Sequence, residues 1–263
     1  MTLPAAAIER ARANLLLASL RLAALALSTA YHFWGNIFFR VLARDRNALF
    51  VVSQRWTSKW FHSCARILGL EVSVAGNLPV PGSLIAPNHL GYVDIIALGS
   101  IRPCFFVAKR DVESWPVVGA LFKSSDHVGV PRDASKGLKA ANDRVRERLE
   151  AGASVCVFLE GTSSGGGSVL PFRTPLLQPA IESGAAVVPV GIRWSTARPD
   201  IEIADDVAYW KDHAFVPHVW RLMGLNGIRV HIAFGEPIKT EGSDRRELAA
   251  EVREAVLRLL GPA

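Results

Sequence analysis

Ser83-Leu84-Ile85-Ala86-Pro87-Asn88-His89-Leu90-Gly91-Tyr92-Val93-Asp94-Ile95-Ile96-Ala97-Leu98 is the stretch on which the fold turns. The apolar run Ser83 to Ala86 reads as a strand and Ile95 to Leu98 as a helix. Pro87 and Gly91 interrupt regular structure between them, so His89 falls on a turn and Asp94 at the helix start. Such a turn can bring an imidazole and a carboxylate side by side. A carboxylate on one ring nitrogen fixes the tautomer and leaves the other nitrogen to take a proton. Taken alone, the same pair is also what a loop histidine and a helix-capping aspartate look like.

Outward from this unit the chain alternates short β-like and helix-like runs. Strands are predicted near Glu71–Val74, Ser83–Ala86, Cys104–Ala108, His127–Val130, Ser154–Leu159, Ala186–Arg193 and Ile228–Phe234. Helices are predicted near Asp94–Ile101, Pro116–Lys123, Ala134–Ala151, Pro175–Ser183 and Asp244–Leu260. Leu138, Ala141, Val145 and Leu149 recur at spacings of three and four, and Lys139, Arg144, Arg146 and Arg148 are expected on the opposite, solvated face. The class is therefore α/β, a mixed sheet flanked by helices. Thr196 to Gly227 is irregular and rich in Trp and His, a packed excursion or a cover for substrate.

At 263 residues the chain can bury a sizeable core. Its charge is uneven. Residues 1–66 hold nine basic and two acidic groups, against 21 and 22 in the rest. The basic excess thus belongs to an amino-terminal arm, and no nucleic-acid partner is expected. Leu22 to Phe39 carries no formal charge, and Tyr31, Phe33 and Trp34 suit a membrane interface. A second helical pattern, Asn47 to Leu68, carries Trp56, Trp60 and Phe61 among Arg55, Lys59 and Arg66. A single span, a hairpin dipping into one leaflet and a helix lying on the surface all fit this composition, as does packing on the body as core. Two apolar helices flanked by cations fit a membrane-associating arm on anionic lipid, residues 1–68, followed by the body, 69–263. Basic residues after the apolar segment place the body on the cytoplasmic face of the inner membrane. Cys64, Cys104 and Cys156 are odd in number and far apart, without zinc spacing; no metal is expected, and a reducing compartment is.

Other candidates sit at predicted strand ends: Lys109 after Phe106-Val107-Ala108, Arg132 after Val130-Pro131, Glu160-Gly161-Thr162-Ser163 after Phe158-Leu159, then Arg173, and Pro189 between Val188 and Val190. Polar groups at the ends of successive strands converge on one crevice in such sheets. Together with the His–Asp turn, these blocks resemble the PlsC-type glycerolipid acyltransferases, the family of the 1-acyl-glycerol-3-phosphate acyltransferases. The resemblance runs from about Leu70 to Ile238. Asn88-His89 with Asp94 is similar to the family's His-x4-Asp block; Lys109, Trp115-Pro116, Gly119 and Arg132 to its second; Glu160-Gly161-Thr162 to its third; Val188-Pro189-Val190 to its fourth.

The resemblance implies O-acyl transfer from an acyl thioester, acyl-CoA or acyl carrier protein, to the free hydroxyl of 1-acyl-sn-glycerol-3-phosphate or a related lyso-lipid. His89 would be the general base and Asp94 its orienting partner. Lys109, Arg132, Glu160, Gly161, Thr162, Ser163, Arg173 and Pro189 would lie in the substrate-binding blocks. No cofactor is implied. Where the family's third block reads Phe-Pro-Glu-Gly-Thr-Arg, this chain has Leu159 for Pro and Ser163 for Arg. Its Gly-Thr-Ser-Ser-Gly version is more similar to a bacterial branch that includes lyso-ornithine-lipid acyltransferases. Gly161-Thr162-Ser163-Ser164-Gly165 also fits the Gly-x-Ser-x-Gly elbow of α/β-hydrolases, with Asp200, Asp205 and Asp206 as acids and His213, His218 and His231 as bases. A non-catalytic membrane-binding module, using the arm alone, is a third reading.

Overall fold

The computed structural model of the chain describes residues 13–115, 117–131 and 134–261. Two long helices come first, α1 (Leu15–Val41) and α2 (Arg46–Leu68). Asn14 caps α1 by accepting from the Leu17 N–H at 3.0 Å, and Asp45 caps α2 by accepting from Ala48 at 2.8 Å. The body then runs β1 (Glu71–Ala75), β2 (Leu84–Pro87), α3 (Tyr92–Ile101), β3 (Phe105–Lys109), α4 (Val118–Ser124), β4 (Val128–Val130), α5 (Ala134–Glu150), β5 (Val155–Cys156), α6 (Gln178–Ser183), β6 (Val187–Thr196), α7 (Phe215–Met223), β7 (Ile228–Phe234) and α8 (Arg245–Leu260).

Seven strands form one sheet in the order β1-β7-β6-β2-β5-β3-β4. Only β6 and β7 pair antiparallel; every other pair is parallel. The sheet is mixed, as expected. β5 is shorter than its apolar sequence predicts. The Val157 N–H still reaches Ile85 O at 2.9 Å, and the backbone then turns at Phe158, where the Gly161 N–H closes back on its carbonyl at 3.0 Å. The apolar residues to Leu159 remain buried without ladder pairing.

The arm is a helical hairpin docked on the body. α2 sends Phe61 and Leu68 into one of the two cores and Phe50 into the other, and also buries Cys64. Its tryptophans turn toward α1: the Trp60 indole N–H donates to Thr29 Oγ1 at 3.0 Å, and Trp56 stacks on Phe39 with centroids 5.4 Å apart. One face of α2 is thus core rather than a second lipid-facing surface, because its apolar stripe meets α3 and β3. α1 differs. It is long and apolar enough to cross a membrane, and Leu27, Tyr31, Trp34 and Phe38 are each at least 60% exposed. Its polar residues face the body: Asn36 donates to Ser124 O at 2.9 Å, Arg40 pairs with Asp126, and Arg21 donates to Met223 O at 3.1 Å.

The expected solvated face of α5 needs one correction. Lys139 is exposed, but Arg148 is buried. Its guanidinium lies 5.0 Å over the rings of both Phe50 and Phe105 and donates to Asp126 O at 2.7 and 3.1 Å. Helical periodicity places Arg148 beside Leu149 at the edge of the buried stripe, and two aromatic faces with a fixed carbonyl replace its water.

His127 is buried beside Arg148, and its neutral ring accepts the Phe106 N–H on Nδ1 at 3.1 Å. Removal from water and the nearby Arg148 hold its pKa at about 3, below the ordinary 6.5. The unfolded chain therefore takes up a proton as pH falls through 6.5 while the folded chain does not, and stability is lost progressively from pH 6.5 toward 3. The loss amounts to at most about 5 kcal/mol. In His127→Asn, whose Oδ1 can still accept from Phe106, denaturant unfolding at pH 7 and pH 4 is expected to give a shallower pH dependence than wild type. An unchanged dependence would remove His127 as the cause.

Candidate active site

The site is built at the carboxyl end of β2, near the middle of the sheet. Pro87 has no N–H, and the regular strand ends there. Asn88 continues the pairing with its side chain: its Nδ2 donates to Ile192 O at 3.0 Å and its Oδ1 accepts from Ile192 N at 2.7 Å. This clamp to β6 holds the backbone just before His89. Gly91 then permits the chain to pass the excursion after β6: its φ is 158°, and a Cβ there would lie 2.7 Å from the Tyr209 nitrogen.

His89 and Asp94 meet as the spacing predicts. The His89 Nδ1–H donates to Asp94 Oδ2 at 2.9 Å. The same oxygen accepts from the Leu90 N–H at 2.6 Å and the Gly91 N–H at 2.9 Å, and Oδ1 accepts from the Trp194 indole at 2.7 Å. Asp94 is fully buried, while the His89 side chain keeps 17% of its surface. Four donors fix the buried Asp94 side chain in place, and the one from His89 orients the imidazole with Nδ1 toward it. The ring lies against Phe158, centroids 3.8 Å apart. Nε2, the remaining basic atom, makes no hydrogen bond to a described residue.

Trp194 is the partner that sequence reading missed. Its signal was parity: Val188, Val190, Ile192 and Trp194 alternate along β6 and share the core cluster that holds Val93 and Ala97 of α3. Trp194→Phe keeps the apolar ring and removes the N–H, leaving the Asp94 carboxylate more basic. The expected result is a fall in kcat of roughly three- to tenfold and an acid limb of the rate–pH profile moved to higher pH. An unmoved limb would make Trp194 a packing residue only.

The other candidates are distributed around this centre. Glu160 is buried and accepts from the His89 N–H at 2.7 Å and the Leu170 N–H at 2.8 Å. Burial raises its carboxyl above the ordinary range, against the pull of those two bonds. Its visible work is to tie the third block to the His89 turn. The Ser164 N–H reinforces this by donating to His89 O at 2.8 Å. Gly161 has φ +69°, and a Cβ there would lie 2.7 Å from Arg173 Nε, so the exposed Arg173 rests on the loop backbone. Thr162 and Lys109 are exposed. Pro189 is buried in β6, in register with Ala86 of β2. Arg132 lies outside the described residues, as does Pro116.

Ser163 has no base. Its hydroxyl donates to Tyr209 O at 2.6 Å. His218 is engaged by the Tyr92 hydroxyl at 2.9 Å and by Ala208 O at 3.1 Å, and His231 by Ser73 at 3.0 Å. No helix follows Gly165 where an elbow needs one; the next regular turn is the 3-10 segment Pro175–Leu177. The hydrolase reading fails on geometry.

Residues 69–193 match the sequence profile of the family described as Acyltransferase. The chain is 34% identical over 256 residues to the lyso-ornithine lipid O-acyltransferase of Pseudomonas aeruginosa, covering 96% of each. It is 30% identical over 196 residues to the 1-acyl-sn-glycerol-3-phosphate acyltransferase of Neisseria meningitidis, covering 72% of this chain and 73% of the relative. Among solved structures, the 1-acyl-sn-glycerophosphate acyltransferase PlsC of Thermotoga maritima superimposes with a TM-score of 0.70 at 24% identity, covering 93% of each chain, a likeness of fold.

Proposed function

Since the chain belongs to the acyltransferase family, we propose that it moves a fatty acyl group from a thioester to the free hydroxyl of a lyso-lipid, with His89 as general base. The observation that carries this is the buried, four-fold hydrogen-bonded Asp94 behind an imidazole whose Nε2 is left open. Nε2 takes the hydroxyl proton as the oxygen attacks the thioester carbonyl. The tetrahedral intermediate collapses, the C–S bond breaks, and the thiolate leaves with the proton from His89. Asp94 balances the imidazolium formed in between. Thr162, Ser163 and Gly165, whose N–H groups make no hydrogen bond to described residues, are available in the adjoining loop for the oxyanion. The step needs no acyl-enzyme, since holding both reactants can contribute about 7 to 11 kcal/mol.

For the acceptor we favour a lyso-ornithine lipid over 1-acyl-sn-glycerol-3-phosphate. The near full-length relative acts, by its name, on the former, and Ser163 turns its hydroxyl to Tyr209. The phosphate-bearing acceptor is the second reading, favoured by Arg173 against the Gly161 loop, by Lys109 at the carboxyl end of β3 and by the Neisseria relative. The exposed apolar surface of α1 supports an arm resting in the membrane; the basic residues that follow it, Arg40, Arg44 and Arg46, favour the cytoplasmic side, where acyl-CoA and acyl carrier protein are found, for the body, 69–263. The test is labelled acyl-CoA and acyl-acyl carrier protein, each with both acceptors. Transfer to lyso-ornithine lipid is expected to exceed transfer to the phosphate acceptor by at least about tenfold in kcat/KM. Activity confined to the phosphate acceptor would overturn the choice, and none with either would overturn the function.

A further inference from the structure

The amino ends of the central strands, on the opposite edge of the sheet from His89, carry a second polar feature. A cavity of 260 Å³ opens there between α2, the end of α3 and the turns that precede β2 and β5. Gln54 and Arg55 line it from α2, Arg102 from the end of α3, and Gly152 and Ser154 from the turn before β5. Two arginines are among its lining residues and no acidic residue is. Neither arginine has an ion pair among the described residues. Arg102 is half-buried, and its Nε is sealed from solvent with no acceptor among the described residues, so any bond to a ligand in the cavity comes from its terminal nitrogens. Gln54 is held in place by donating to Ser154 O at 3.1 Å. A guanidinium presents paired N–H groups in a plane, a geometry that matches the oxygens of a phosphate.

A second observation says where such a phosphate comes from. Arg55, Lys59, His62 and Arg66 are all exposed, and their spacings of four, three and four put them on one face of α2. The stripe starts at the cavity. It also borders the apolar surface of α1: Lys59 Nζ lies 5.0 Å over the Trp56 ring, and Trp56 touches Tyr31 and Phe39. A row of cations beside exposed apolar and aromatic side chains is what an anionic membrane surface attracts.

We propose that this cavity is a phosphate-binding site for the headgroup of an anionic phospholipid, with Arg55 and Arg102 as its ligands and the α2 stripe guiding lipid to it. The proposal rests on the reading that the arm lies at a membrane, but not on the chemistry assigned to His89. A phosphate bound here ties α2, and through it the arm, to the edge of the sheet.

Three measurements on the full chain test it. Inorganic phosphate, titrated by calorimetry at constant ionic strength in detergent, is expected to bind wild type saturably. Arg102→Gln and Arg55→Gln are each expected to weaken it by about tenfold or more. Flotation with neutral phosphatidylcholine vesicles and with vesicles also containing phosphatidic acid is expected to show a preference for the anionic set that both variants reduce. Acyl transfer from detergent-dispersed substrates is expected to stay within about twofold, since the cavity lies away from His89. Arg55 is exposed, so Arg55→Gln leaves the packing intact even where Arg102→Gln does not. Equal phosphate affinity in wild type and both variants overturns the site. Phosphate binding lost in the variants with vesicle preference unchanged overturns the lipid as its source and assigns soluble phosphate instead. Wild type that floats with neither vesicle refutes the membrane reading while the titration still reports on the cavity.

Discussion

His89→Gln is expected to lower acyl transfer by about 10²- to 10⁴-fold, the range by which a positioned general base accelerates a proton transfer. Glutamine keeps a polar side chain of similar reach and can still donate toward Asp94, but its amide cannot accept and release a proton near neutrality. His89 is partly open at the site and glutamine can still lie against Phe158, so thermal stability should change far less than rate. The measurement is initial rate with saturating thioester and lyso-lipid, beside a thermal melt. Transfer at wild-type rate would end the general-base assignment; a collapse of the melt would say that the variant reports on folding instead.

Asp94→Asn separates orientation from folding in the opposite direction, because here both should suffer. The carboxylate accepts three N–H groups on one oxygen and the Trp194 indole on the other. An amide must turn its own N–H₂ toward one of these donor sets, whichever way it flips. Each buried N–H left without an acceptor costs about 1 to 3 kcal/mol. The imidazole also loses the partner that keeps Nδ1 protonated and Nε2 basic. A fall in kcat of about 10³-fold or more is expected, together with a lower melting temperature. Comparing the two variants distinguishes the roles: His89→Gln loses rate alone, Asp94→Asn loses rate and stability. An Asp94→Asn enzyme that keeps more than a tenth of the wild-type rate would show that the carboxylate does not act through the imidazole.

Most of the sheet was legible because period-two and period-3.6 apolar patterns are local properties of the chain. Leu138, Ala141, Val145 and Leu149 announced α5, and the Pro87 to Gly91 interruption announced the turn between β2 and α3. The His89–Asp94 contact was legible for the same reason: five residues across a strand-to-helix turn leave the two side chains little choice. What was illegible involves distance along the chain. Trp194 reaches Asp94 across a hundred residues. Arg148 is buried because Phe50 of the arm and Phe105 of β3 close over it.

The arm shows the same division. Sequence alone established that its helices are apolar, aromatic and flanked by cations. Hydrophobicity has no direction, however, and a lipid tail and a protein core satisfy it equally. Only the tertiary structure decided that α2 turns one side to the sheet and its tryptophans to α1, while α1 keeps its large apolar side chains outward. The chain thus wrote its strands, helices and His–Asp turn in nearest-neighbour chemistry. Folding chose which buried donors hold Asp94 and which apolar face is left outward, because those depend on surfaces that meet only once the sheet is assembled.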